Sequence, residues 1–423
     1  MSERRLPGSA HALTPPEPDS LLLELPVPFR RIDGVLHVEA QAHNGIARWL
    51  DNFRALTICA PTLPETLLDA SSDWRPVDTL EHAGRLSVHV LPWGYHPRDH
   101  QRHRREVRDL FRRLIPLNQY LCFSNLGWAG AWGNIAAAQA RRAGRPYAVW
   151  LDWELHATQH GANENVFMRT LREWRRSLER RSAINAIRHA ELGLFHGRTV
   201  YDAYRPISRN PHVVHNIHLK RSDLIDEARL QAKLEHRRSP LRIGYVGRVH
   251  EMKGPLDWVA AVAEVARSDE TADRIEAVWL GDGPLLEQAR AEVRRQGLEH
   301  AIRFPGGERD RAKVLEFLRS LDLFVFCHNT PESPRCLIEA LMSGVPIVGY
   351  DSAFARDLLD DGDGGQFVAI GDVGGLAAVI AELADDASLL RRHALAARQA
   401  GTHFSDDAVF SHRSELIRRY LPA

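Results

Sequence analysis

The chain has 423 residues, 44% apolar and 26% charged, and its 55 basic and 55 acidic side chains cancel. A balanced charge leaves no global field to attract nucleic acid, and no apolar run reaches the roughly 18 residues that span a bilayer. These properties predict a globular protein of two domains, each large enough for its own core, with no nucleic-acid partner. Residues 1–20, rich in proline and small polar residues, read as a mobile tail without a secretory signal. Cys59, Cys122 and Cys327 lie in apolar runs and Cys336 stands apart, a scatter that predicts reduced thiols and a cytoplasmic location rather than a metal site.

Strand, loop and helix alternate from about Val35. HVEA leads into a loop at Asn44-Gly45 and a helix from Ile46. LTICAP (56–61), LSVHVLPW (86–93), YLCFSN (120–125), PYAVWLDWE (146–154), GLFHG (193–197) and HVVHNIHL (212–219) read as strands. Two basic stretches lie among them, 98–113 and a helix near 168–190. Residues 21–219 therefore form one α/β domain, and the polar stretch 220–240 reads as the linker. Residues 241–400 form a second domain with strands at LRIGYVG, IEAVWLGDG (275–283), IRFPG (302–306), LDLFVFC (321–327) and VPIVGYD (345–351). Helices are expected near 256–267, 284–297, 311–319, 335–343 and 373–385, and residues 401–423 form a closing helix. Alternating βα units argue for parallel sheets covered by helices on both faces, with ligands bound beyond the carboxyl ends of the strands.

Two segments carry most of the chemistry. In LRIGYVGRVHEMKGP, Gly244 and Gly247 allow a tight turn, and Arg248 and Lys253 supply charge for an anion; the plainer reading is an ordinary βα turn. The spacing does not make a dinucleotide fingerprint. In PESPRCLIEALMSGVPIVGYD, Glu339 is placed on a helix to accept ribose hydroxyls, or else is solvated, and Glu332 caps the helix or contacts a sugar hydroxyl. Two cations beside two carboxylates suit a phosphate-plus-sugar ligand, a sugar nucleotide first of all. GDGP (281–284) and DDGDGG (360–365) read as turns, the second without the acid spacing of a calcium loop.

The order GYVGR, KG, WLGDGP, RFPGG, ESPRCLIEALMSGVPIV and DDGDGGQFV resembles the retaining glycosyltransferases of family 4, which have the GT-B fold of two Rossmann-like domains facing across a cleft. FSDDAVFSHRSELIRRYL resembles that family's closing helix, which crosses back to the first domain. The resemblance implies sugar transfer from a nucleotide sugar with retention of configuration and no cofactor or metal, Arg248 and Lys253 stabilising the leaving diphosphate. It places Gly247, Ser333, Arg335, Leu337, Glu339 and Gly45 on the donor side. Glu332 stands one position from the family's first acidic residue, and the usual Gly-Phe-Gly after it is replaced. Asp152 or His156, at the strand where relatives carry a histidine, would face the acceptor, with Asn44 and His196 nearby. The alternative is that these side chains merely cap strand ends.

The basic stretches suit an anionic membrane surface or a solvated helix face equally. With the first, a lipid-linked or glycan acceptor at the inner face of a bacterial membrane is expected, and polysaccharide or envelope assembly is the implied process. A GT-B protein that binds a nucleotide sugar or a partner without catalysis is the competing reading.

Overall fold

The structure is a computed structural model. It describes residues 16–64, 73–124, 126–127, 131–152, 166–215, 217, 219–235, 240–267, 275–330, 334–359 and 363–422, with only the backbone at 166–176. The chain divides into two compact units. The first takes residues up to His196, Val200–Val214 and Phe410 onward; the second takes Gly197–Thr199 and His215–Val409.

The first unit contains β1 (Glu17–Glu24), β2 (Phe29–Ile32), β3 (Val35–Glu39), α1 (Ala40–Asn52), β4 (Ala55–Pro61), β5 (Trp74–Pro76), β6 (Leu86–Leu91) and α2 (Pro97–Leu114). It continues with β7 (Asn118–Phe123), α3 (Trp132–Arg142), β8 (Ala148–Leu151), α4 (Val166–His189), β9 (Leu192–His196), α5 (Gly197–Tyr204, from Val200 onward) and β10 (Pro211–Val214). Seven strands form a sheet in the order β10-β9-β8-β7-β1-β4-β6, parallel throughout. Alternate residues feed opposite cores: Leu21, Leu23 and Trp150 on one face, Leu22, Val149 and Leu151 on the other. That two-sided burial is why these strands read as unbroken apolar runs.

Two expectations are corrected here. The tail was expected to run to residue 20, but β1 starts at Glu17 and is paired on both sides, with β4 and β7. The proline-rich composition before it masked a buried run of leucines. Asn44 and Gly45 are not in a loop but inside α1, whose buried face is Gly45, Ile46, Trp49 and Leu50. The apolar spacing outweighs the Asn-Gly turn signal. The preceding strand, β3, belongs to a small antiparallel sheet, β2-β3-β5, so the loop on which Gly45 was assigned to donor phosphates does not exist at this place.

The second unit contains α6 (Glu227–Glu235), β11 (Leu241–Val246), α7 (Pro255–Arg267), β12 (Ile275–Leu280), α8 (Leu286–Arg295), β13 (Ile302–Gly306), α9 (Arg311–Ser320) and β14 (Leu323–Phe326). It ends with α10 (Arg335–Met342), β15 (Ile347–Tyr350), α11 (Ala353–Asp357), β16 (Gly365–Val368), α12 (Val373–Asp385) and α13 (Ala387–Gly401). Its sheet runs β13-β12-β11-β14-β15-β16, again wholly parallel. The core holds Tyr245, Trp258, Trp279 and Phe324, and the Trp258 indole N–H donates to the Val325 carbonyl at 3.0 Å. The stretch expected as a linker carries α6, whose Leu230 is buried and neighbours Gly344. The last helix, α14 (Asp406–Tyr420), sends Phe410, Leu416 and Ile417 into the first unit's core.

Candidate functional site

The glycine-rich turn of the second unit is set by close backbone contact. The residues after β11 lie along those after β12: Gly247 N–H donates to Leu280 O at 3.1 Å, Val249 N–H to Asp282 O at 2.9 Å, and Leu285 N–H to Val249 O at 3.1 Å. The Trp279 indole closes the join, donating to Gly247 O at 2.9 Å. A Cβ on Gly281 would lie 1.9 Å from that same oxygen. The GDG segment, read from sequence as a plain turn, is thus the floor against which Gly247 and Arg248 are held. Arg248 itself is exposed.

Lys253 ends a short 3₁₀ turn, Glu251–Lys253, and is buried. Gly254 follows with φ +59°, where a Cβ would lie 2.3 Å from Cys327 O, so the turn is pressed against the end of β14. Asn329 fastens it from the other side, its amide donating to Glu251 O at 3.1 Å and its backbone N–H to Met252 O at 3.2 Å. Between them lies His328, buried, with Nε2 at 2.7 Å from the Tyr245 hydroxyl. Burial, reinforced by the Lys253 charge, pushes His328 down to about 3. Tyr245, His328 and Asn329 were not singled out from sequence; the signal available was a polar pair, His328-Asn329, just past an apolar strand.

That neutral histidine has a measurable consequence. The unfolded chain takes up a proton near pH 6.5 that the folded site refuses until about 3, so stability is complete above pH 6.5 and falls as the pH drops. The loss between pH 7 and 4 is expected to be about 3 kcal/mol from this group. Urea unfolding of wild type and His328→Phe at both pH values checks it: the variant should lose correspondingly less stability, and equal losses would remove His328 as the cause.

On α10, Leu337 is buried and Arg335 exposed. Glu339 is held in an ion pair, its Oε1 accepting from Arg311 Nη1 at 2.7 Å. Arg311 comes from the start of α9, a partner 28 residues away that no local pattern announces. Glu332 and Ser333 lie outside the described residues. Gly247, Arg248, Lys253 and Glu339 therefore all follow the carboxyl ends of the neighbouring strands β11 and β14.

In the first unit, Asp152 and His196 stand at adjacent strand ends, since Leu151 of β8 pairs with Phe195 of β9. Burial lowers the basicity of His196; the Asp152 charge raises it, Arg413 lowers it and a hydrogen bond with the Val214 backbone raises it. His156, Glu154 and His160 fall outside the described residues. Among the described residues no group of three or more His, Cys, Asp or Glu side chains is placed to hold a metal ion.

A cavity of about 340 Å³ opens between α2, α3 and α4, lined by His100, Arg104, Arg108, Arg141 and Arg142, with no carboxylate lining it among the described residues. Helix α2 is anchored by Val107, Phe111 and Leu114 and turns its arginines outward. The apolar residues thus hold the helix to the unit and leave the cationic face open. No helix among the described residues is long and apolar enough to cross a membrane.

Comparison with known proteins bears on this geometry. Residues 240–386 match the family described as Glycosyl transferases group 1. The putative glycosyltransferase EpsF of Bacillus subtilis is 34% identical over 112 residues, 26% of this chain and 28% of that protein. The lipopolysaccharide core biosynthesis glycosyltransferase LpsE of Rhizobium meliloti is 29% identical over 178 residues, 41% of this chain and 48% of its own length. The chain thus spans less than half of either relative. The crystal structure of Anabaena Alr3699/HepE in complex with UDP superposes with a TM-score of 0.62 at 17% identity, covering 95% of this chain and all of that one. The likeness is one of fold, and the fold is GT-B.

Proposed function

We propose that this chain is a retaining glycosyltransferase of family 4 that moves a sugar from a nucleotide-sugar donor to a lipid-linked or saccharide acceptor, in the assembly of a bacterial polysaccharide or envelope glycan. The observation that carries the reading is the backbone-locked turn at the end of β11, which delivers Arg248 and Lys253 inside the segment matching the group 1 transferases. As the donor bond breaks, charge builds on the leaving diphosphate. Fixed cations there stabilise the transition state without reorganising, so no metal is required for that task. Glu339, oriented through one oxygen by Arg311, accepts the ribose hydroxyls. Arg335 and the main chain near Leu337 meet the donor, with Glu332 and Ser333 assigned to the sugar. Asp152 or His156 faces the acceptor beside His196. HepE is a protein of the same fold crystallised with UDP, which supports a nucleotide-sugar donor.

Nucleotide release, measured with a panel of nucleotide sugars and membrane extract as the acceptor source, tests this. One donor should be turned over, and EDTA should not slow it. No release with any donor would favour a GT-B protein that binds without catalysing.

The cationic face of α2 and the arginine-lined cavity support a peripheral position on an anionic membrane from the cytoplasmic side. Co-sedimentation with phosphatidylglycerol vesicles should exceed that with phosphatidylcholine vesicles and weaken as salt rises. Arg104→Glu with Arg108→Glu should abolish the difference. Binding that ignores lipid charge or salt would count against this position.

A further inference from the structure

Arg413 sits in α14 with none of its surface exposed. Its guanidinium carbon lies 4.5 Å from the ring centre of Trp150 and 4.9 Å from that of Phe410. Trp49 meets both rings edge-on, with centroids 6.2 and 5.1 Å away. Such a box would hold an apolar side chain of the same volume at lower cost than a cation, so stability alone does not account for an arginine there. What surrounds it does. Trp150 and Asp152 come from β8 and the residue after it, His196 ends β9, Cys122 lies in β7 and the buried Glu24 ends β1. The charge of Arg413 acts on Cys122 and His196, and the charge of Asp152 favours the guanidinium in turn.

We propose that Arg413 is the positioning residue of the Asp152–His196 pair, binding the last helix of the chain to the strand ends that face the acceptor. The acceptor-side role rests on the transferase reading; the coupling of Arg413 to the pair does not. The guanidinium, held over the Trp150 and Phe410 rings, fixes the direction from which Asp152 and His196 feel a positive charge. Burial is the main reason His196 resists protonation, and Arg413 adds to it against the pull of Asp152. Cys122, pushed up to about 12 mainly by burial, stays a neutral thiol and supplies no competing charge at neutral pH. Glu24, the other titratable group named here, ends β1, which pairs with the strand of Cys122; its Oε2 accepts from the Ser124 N–H at 3.3 Å, and its charge pushes Cys122 the opposite way from that of Arg413.

The test is a titration of His196 by NMR, its ring signal assigned with His196→Gln, in wild type, Arg413→Met and Arg413→Lys, beside turnover of the donor found active. Arg413→Met should move the His196 midpoint to higher pH, shift the acid limb of turnover the same way, and lower the rate about 100-fold through misplacement of the pair. Arg413→Lys, which keeps the charge, should keep the midpoint near wild type and recover part of the rate. A folded Arg413→Met with an unmoved midpoint and turnover within twofold overturns the proposal. Should that variant not fold, Arg413→Gln, which keeps a polar side chain without the charge, asks the same question: its His196 midpoint must rise, and an unmoved midpoint overturns the proposal equally. If wild type turns over no donor, the transferase reading fails while the midpoints still decide the role of Arg413.

Discussion

Lys253→Met, which removes the charge but nearly keeps the volume, is expected to lower kcat by about 10²–10³-fold, a barrier increase of about 3–4 kcal/mol. Arg248→Ala should act in the same direction. The two differ in what else they disturb. Arg248 is exposed, so its loss should leave unfolding unchanged. Lys253 is buried beside His328, and without its charge His328 should become somewhat more basic, although burial still dominates. Steady-state kinetics with circular dichroism on each variant separates the effects. Wild-type turnover in both would remove these cations from the proposed donor site.

Gly281→Ala should be among the most damaging single-methyl changes in the second unit. The added carbon would stand 1.9 Å from the Gly247 carbonyl, and that obstacle is backbone already engaged by Trp279. Either the β12 turn or the β11 turn must move, at a cost of about 3 kcal/mol or more. Because the β11 turn carries Arg248, nucleotide affinity should fall with stability. Gly374→Ala is the control: it is exposed in the first turn of α12, a Cβ there meets nothing within 4 Å, and the change should be neutral or slightly stabilising. Urea unfolding of the pair decides the matter; a Gly281→Ala protein as stable as the control would show that the two turns are not locked together.

Much of the second unit was legible because each of its βα pieces is a local pattern. The strand IRFPG and the helix from Val373 to Asp385 fall where the sequence places them, and Cys59, Cys122 and Cys327 are buried as their apolar settings predict. Periodicity and turn residues act over a few positions, and a reader of the chain sees all of them at once. The first unit is less legible. Its paired first strand, β1, hid behind prolines, and its first helix absorbed an Asn-Gly pair that reads as a turn. In both places the burial of an apolar face overrode a local signal.

By itself, then, the sequence determined the α/β class, the parallel sheets, the glycine turn with Arg248 and Lys253, and Glu339 on its helix. Tertiary structure alone decided which groups those residues meet. Arg311 reaches Glu339 from another helix, His328 meets Tyr245 across 83 residues, and Arg413 lies against Trp150 from the far end of the chain. The physical reason is that the charge state and direction of a polar side chain depend on its burial and on the groups packed around it. In a parallel sheet those groups come from strands joined by long crossovers, so they lie far apart in sequence.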